Sequence, residues 1–259
     1  MQFSLYKIRR SRISRVFISH LHGDHYFGLI GLITSMGLLG RETDLHIHGP
    51  EGLQKIIEMQ LCVAGNHIKF PLHFHANKAE GTILDEEKVT VECFSVQHRV
   101  ECWGYIFREK KAPRRIIKEK VLEYGVPTIF YKRLQWGEDY KTKAGELVKN
   151  EMVTLPNAPG KSYAYCADTI YDERLSCKVK NVDLLYHEAT YLHELAERAA
   201  QRFHSTAYQA GCIAKAANVK QLLIGHFSSK YEQVDEFLEE AQSAFGNTAL
   251  AIEGLTFRI

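Results

Sequence analysis

No apolar run in this chain approaches the ~20 residues that a bilayer-spanning helix needs, which excludes a spanning segment of that kind. Cysteine pairs are also missing. The six cysteines are scattered, with no C-x-x-C and no regular spacing. That pattern argues against a disulfide framework and against a cysteine-built zinc site, and it fits free thiols in a reducing compartment. A cytoplasmic protein without a secretory leader and without a membrane partner is therefore expected. No internal repeat is visible. Acids are missing from residues 1–23, which carry Lys7, Arg9, Arg10, Arg12 and Arg15. What is present is ordinary for a globular chain: 259 residues, 45% hydrophobic and 25% charged, enough to bury a substantial core in one large domain or two small ones.

The formal net charge of +2 hides an asymmetry. Residues 109–162 hold twelve basic and seven acidic side chains, whereas residues 168–259 hold nine and thirteen. Two basic segments set against a more acidic remainder suggest a polyanionic partner, or else an unevenly charged solvated surface.

Residues 16–31 organise the chain. Val16, Phe17 and Ile18 read as a short buried strand. It runs into His20, His22, Asp24 and His25, four metal-ligand types within six residues. Gly23 stands among them, as a tight turn would require. Apolar residues resume at Phe27, Leu29, Ile30, Leu32 and Ile33, so a ligand-rich turn leads from a strand into a helix or loop. Open α/β sheets place their sites at such strand ends.

The rest of the chain continues the alternation. Residues 1–13 read as a basic amphipathic segment with Phe3, Leu5, Tyr6 and Ile8 toward a core. A strand over 45–48 stops at Gly49-Pro50, and a helix follows over 51–64. Strands fill 83–107, the first run ending near His98. Residues 109–162 contain four of the six prolines and little periodicity outside 116–124, so they read as a basic inserted arm on a single domain spanning 1–259. Strands at 163–167, 182–186 and 222–224 end at Asp168, at His187 and Glu188, and at His226. Helices are expected over 191–202, over 206–218 capped by Ser205, and over 231–245, before a last strand at 249–257.

Strand ends thus deliver His20, His22, Asp24, His25, His98, Asp168, Glu188 and His226 to one edge of layered sheets. Imidazoles with carboxylates suit Zn²⁺. His20 and His22 can grip one ion, Asp24 and His25 a second, and Asp168 can bridge them. Two ions roughly 3.5–4 Å apart clamp both the attacking and leaving oxygens of a phosphoryl displacement. The pairs His46/His48 and His73/His75 lack a third partner in the sequence, so structural or surface roles are expected for them, and likewise for His67 and His193.

His20-Leu21-His22-Gly23-Asp24-His25 resembles the metal motif of the metallo-β-lactamase superfamily. Further stretches resemble its ribonuclease Z branch: His98 with Gly104-Tyr105, Ala167-Asp168-Thr169, His187-Glu188-Ala189-Thr190, His204-Ser205-Thr206-Ala207 and Gly225-His226-Phe227-Ser228-Ser229. The resemblance covers nearly the whole chain. It implies an αββα four-layer sandwich and a two-zinc endoribonuclease that removes the 3′ trailer from precursor tRNA. It places His20, His22 and His98 on one zinc, Asp24, His25 and His226 on the other, and Asp168 between them. It makes Asp24 a general base as well, His204 the proton donor to the leaving 3′ oxygen, and Glu188 the group that orients His204.

The resemblance also makes residues 109–162 a tRNA-gripping arm, with Val126-Pro127-Thr128 where relatives carry a richer Gly-Pro stretch. Lys132, Arg133, Lys141 and Lys143 are the expected phosphate contacts there. Ser228 and Lys230 are expected near the substrate, Lys230 standing where relatives have arginine. A homodimer is implied. Relatives open with strands that carry a Gly-Thr-Ser loop and an Asp-x-Gly-Glu-Gly-Thr turn. Nothing here matches them, so the first sheet is expected to lack its opening strands and to expose an edge. Two further readings stay open: a general zinc phosphodiesterase of the same fold, and a catalytically impaired tRNA-binding protein.

Overall fold

The computed structural model describes residues 2–65, 68–110 and 112–259; His67 lies outside them. Helix α1 (Gln2–Leu5) and a 3-10 turn at Arg10–Arg12 come first, and neither buries a residue. Leu5, Tyr6 and Ile8 are exposed. The expected amphipathic face does not form, because Lys7 takes a left-handed φ of 56° that interrupts the helix after one turn.

Strand β1 (Arg15–Phe17), helix α2 (Gly23–Leu38), strand β2 (Leu45–Gly49), helix α3 (Leu53–Val63) and strand β3 (Leu72–Ala76) build one layer pair. The strands are parallel in the order β1-β2-β3. Leu45 and Ile47 point from β2 into a core closed by Leu29, Ile33 and Met36 of α2 and by Leu53 and Ile57 of α3. The α2 residues recur at a spacing of four and three, one helical stripe. Gly23 is the first residue of α2 rather than part of a tight turn. Its φ is ordinary, and a Cβ there would meet the Phe27 ring.

Strands β4 (Gly81–Asp85), β5 (Val89–Ser95) and β6 (Trp103–Glu109) follow. Short elements come next: β7 (Arg115–Ile116), α4 (Lys118–Glu123), α5 (Tyr131–Gln135), β8 (Tyr140–Lys141), β9 (Leu147–Val148), α6 (Asn150–Val153) and β10 (Thr154–Leu155). The chain closes with β11 (Ser162–Cys166), α7 (Leu175–Lys178), β12 (Leu184–Glu188), α8 (Ala196–Gln201), α9 (Ala207–Ala216), β13 (Gln221–Gly225), α10 (Asp235–Ala244) and β14 (Thr248–Leu250). The main sheet runs β14-β13-β12-β11-β6-β5-β4. Its β11 to β14 portion is parallel and reads as near-continuous apolar runs, as strands covered on both faces do.

Ala164, Cys166, Leu185, Leu222 and Ile224 of this sheet pack with Ile213 of α9 and Phe237 of α10. Helices α9 and α10 approach closely at Gly211, where a Cβ would come within 2.7 Å of the Ala241 carbonyl oxygen. The other face of the main sheet meets β1. Phe17 lies edge-on to Tyr105 and Phe107 at 5.2 and 5.1 Å, and the Tyr105 hydroxyl donates to the Ile18 carbonyl at 2.7 Å. Helices, sheet, sheet and helices follow one another as a four-layer αββα sandwich.

The chain divides into two compact units, Met1–Asp85 with Val91–Phe107 and Ser162–Ile259, and Glu86–Thr90 with Arg108–Lys161. The second has a core of its own: Val121, Val126, Leu134, Val148 and Val153 are buried together. Asn150 is buried inside it and donates to the carbonyls of Leu134 and Glu138 at 2.7 and 3.0 Å.

Three local expectations need correction. Thr206, not Ser205, caps α9: its hydroxyl accepts from the Gln209 N–H while its own N–H donates to Gln209 Oε1, a capping box. Ser205 donates instead to the Thr169 carbonyl at 2.7 Å. The last strand ends at Leu250, and the chain then turns at Gly254, whose φ is 84°. The helix expected over 191–202 is a 3-10 turn at His193–Leu195 followed by α8.

Candidate metal centre and its histidine–glutamate pair

The loop from β1 to α2 carries His20 and His22, and the first turn of α2 carries Asp24 and His25. His98 follows β5, Asp168 follows β11, Glu188 ends β12, and His226 follows β13. The parallel register sets His187 beside Ile224 and Glu188 beside Gly225, so these strands finish at one edge. Gly225 is needed there: a Cβ would come within 2.6 Å of the Tyr186 hydroxyl oxygen.

Ligand atoms of His20, His22, His98 and Asp168 all lie within 4.8 Å of one another, and so do those of Asp24, His25 and His226. Asp168 touches both groups. Its Oδ2 lies 3.7 Å from His20 Nε2, 3.4 Å from His25 Nε2 and 4.0 Å from His98 Nε2. Its Oδ1 lies 3.4 Å from His226 Nε2. Asp24 is the exposed member, with Oδ2 at 3.3 Å from His25 Nε2 and 3.7 Å from His226 Nε2.

The outer ring nitrogens are anchored, which turns the inner ones inward. His98 Nδ1 donates to the Phe203 carbonyl at 2.9 Å. His20 Nδ1 meets Ser19 Oγ at 3.1 Å and Cys102 Sγ at 3.5 Å. His226 Nδ1 donates to Thr190 Oγ1 at 2.9 Å. Such anchoring of the non-ligating nitrogen is the usual outer support of a metal-binding histidine. Phe203 and His226 both adopt left-handed φ values, 59° and 62°. Strain of that kind in non-glycine residues gathers at functional sites.

These residues fit a divalent cation. His20 Nε2 and His98 Nε2 both converge on His22 Nδ1 at 3.1 Å. His25 Nε2 and Asp168 Oδ1 are buried without a hydrogen-bond partner among the described residues. Buried polar atoms of this kind call for a ligand or an ion. Burial, then the neighbouring His25, holds the pKa of His20 down to about 3. Burial likewise lowers His22 and His98, which keeps these rings neutral and their lone pairs available. Burial alone would raise Asp168, but the close imidazoles of His25 and His226 outweigh it and hold the carboxyl ionised.

A histidine–glutamate pair adjoins this donor set. His204 Nδ1 donates to Glu188 Oε1 at 2.9 Å. Glu188 is fully buried. Its Oε1 also accepts from the Thr169 N–H, and its Oε2 accepts from the N–H and hydroxyl of Thr190. Burial opposes a charge on His204, yet the Glu188 hydrogen bond and charge prevail and raise its pKa. Ligand atoms of His204, Asp168 and His226 also lie within 4.8 Å of one another. An imidazolium held beside a carboxylate that reaches both donor groups can give a proton to a poor leaving group.

The remaining candidates are placed as follows. Ser228 is half-buried, and its N–H donates to the Thr190 carbonyl. The Lys230 ammonium lies 4.2 Å from the Tyr231 ring centroid and 6.0 Å from that of Tyr191. Lys132, Lys141 and Lys143 are exposed on the second unit. Arg133 stacks over Phe130 at 4.4 Å and pairs with Glu138, so part of its charge is already matched. Two supporting residues carried no role in the sequence reading. Thr190 stands two residues after Glu188, a spacing that could have revealed it. Phe203 acts through its backbone and leaves no side-chain signal. His46 and His73 do have partners, contrary to expectation: β2 and β3 pair them and set Asp44 alongside.

No protein-family model matches the chain. Its fold resembles that of human tRNase Z, short form, with a TM-score of 0.68, 22% identity, and coverage of 98% of this chain and 82% of that one. It also resembles the metallo-β-lactamase fold protein YhfI from Bacillus subtilis, with a TM-score of 0.65, 18% identity, and coverage of 97% and 80%. By sequence it is 42% identical over 261 aligned residues to a ribonuclease Z of Bacteroides thetaiotaomicron, an alignment that takes in 100% of this chain and 83% of that protein. The chain belongs to the ribonuclease Z family of the metallo-β-lactamase fold.

Proposed function

We propose that the chain cuts the phosphodiester bond joining a 3′ trailer to precursor tRNA, with zinc as its metal. The observation that carries this reading is the His204–Glu188 pair standing beside a donor set bridged by Asp168. His20, His22 and His98 would hold one ion, and Asp24, His25 and His226 the other. Two zinc ions so held supply Lewis acidity toward phosphate oxygens and acidify the attacking water.

The chain's own residues account for the proton movements. Asp24, an exposed carboxylate at the start of α2, takes the proton from the attacking water. His204 gives a proton to the departing ribose 3′ oxygen. Glu188 accepts at His204 Nδ1, so the proton for transfer sits at Nε2, and its charge steadies the imidazolium before transfer. Ser228 and Lys230 bind the RNA near the cut, and Lys230 acts as a point charge toward phosphate.

The second unit binds the tRNA body through Lys132, Lys141 and Lys143, with Arg133 after release from Glu138. Phosphate contacts of this kind position the substrate without reading its sequence. The chain acts as a cytoplasmic homodimer, and no helix among its described residues is long and apolar enough to cross a membrane. The test is cleavage of a 3′-extended tRNA by the wild-type protein and by His204→Ala. Release of the trailer by the first and near-loss of release by the second support the reading. Equal rates exclude His204 from it.

A further inference from the structure

We propose that Asp44, His46 and His73 form a separate surface site for a divalent transition ion of the zinc, nickel or copper class. The register of β2 on β3 sets His46 directly beside His73. Asp44 immediately precedes β2, and its Oδ2 lies 3.1 Å from His73 Nε2. Ligand atoms of the three residues all lie within 4.8 Å of one another. The His46 and His73 rings stack at 4.7 Å with an interplanar angle of 18°.

The frame is fixed before any ion arrives. His46 and His73 sit on adjacent hydrogen-bonded strands. Arg41 donates to the carbonyls of Thr43 and Asp44 at 2.7 and 2.6 Å, and so pins the loop that carries the carboxylate. His75 Nε2 lies 3.0 Å from His46 Nδ1, an outer contact that sets the orientation of the His46 ring. His48 packs on the far side of His75 at 4.5 Å and closes the row.

The donor types define the ligand class. Two imidazoles and one carboxylate suit zinc, nickel and copper better than calcium or magnesium, which take oxygen. His46 and His73 are half-buried and Asp44 is exposed, so water can complete the coordination, as at an open three-ligand site. The register of β1 on β2 sets Arg15 beside His46. The positive charge of Arg15 repels a cation. The site is therefore weaker than the central donor set, which Asp24 and Asp168 make more anionic.

Zn²⁺ titration of the full chain by calorimetry, with bound metal measured on the same samples, tests the proposal. The wild type is expected to show a tighter class and a further, weaker ion per chain. The double variant His46→Gln/His73→Gln loses only the weaker ion. Asp44→Asn, at an exposed position, weakens it by about tenfold or more, at least the effect of losing an outer-shell partner. Asp168→Asn impairs the tighter class and leaves the weaker one, so a failure of the proposed function is told apart from a failure of this site. Equal weak binding by the wild type, the double variant and Asp44→Asn overturns the proposal, as does the absence of a weaker ion in the wild type.

Discussion

Glu188 holds His204 at 2.9 Å through one carboxylate oxygen, and through the other it receives the Thr190 hydroxyl, which in turn accepts from His226. One buried carboxylate thus sets the ring orientation of both the proposed proton donor, His204, and a proposed metal ligand, His226. The two functions remain separable by substitution. His204→Ala is expected to lower turnover by ~10²–10⁴-fold, the usual contribution of a positioned acid, with zinc content near that of the wild type. Metal analysis and single-turnover kinetics on one preparation check both halves. Loss of zinc with the activity would contradict the separation of roles.

Thr190→Val removes the hydroxyl that connects Glu188 to His226 while keeping the side-chain shape. Outer-shell losses typically cost ~10–100-fold in metal affinity. Competition with a chelator is expected to show a loss of that size in Thr190→Val, and Thr190→Ser is expected to restore most of it.

Part of the stability lost as pH falls is expected to come from Asp183. Its Oδ2 accepts from the N–H and hydroxyl of Ser162, and its Oδ1 accepts from Lys220, tying the starts of β11 and β12 to the residue before β13. Burial pushes its pKa up, but the bonds from Lys220 and Ser162 prevail and hold it down to about 2, against an ordinary 3.8. A depressed carboxylate stabilises the fold fully above its unfolded pKa and progressively less as pH falls through its folded one. Asp183→Asn should therefore cost of order 1–3 kcal/mol at neutral pH. The melting-temperature gap from wild type should narrow between pH 3.8 and about 2.

Leu134 is fully buried in the small core of the second unit. Leu134→Ala should cost roughly 2–5 kcal/mol of that unit's stability, read as faster amide exchange over residues 108–161. Hydrolysis of a small phosphodiester should stay near wild type while cleavage of precursor tRNA falls. Equal loss of both activities would contradict a substrate-gripping role for the unit.

The central cluster was legible because its signal is local. Four ligand types in six residues after a short apolar strand point to a metal turn whatever surrounds them. Asp168, Glu188 and His226 could be added because each ends an apolar run, and the ends of parallel strands share an edge. The Asp44–His46–His73 group was not legible: it exists only once 45–49 and 72–76 are paired in a particular register, which alternation alone does not fix. The core of the second unit escaped for a similar reason. Val121, Val126, Leu134, Val148 and Val153 lie on short elements with no sustained period. Ser205 and Thr206 are both good caps, and the choice between them was decided by Gln209, which stands three residues after Thr206 and completes its box.

The most direct test is to offer one preparation a 3′-extended tRNA and a small phosphodiester while measuring its zinc. The account predicts two zinc ions in the central site of each chain and endonucleolytic release of the trailer, both lost on chelation and restored by zinc. Hydrolysis of the small diester with the tRNA left intact would contradict it.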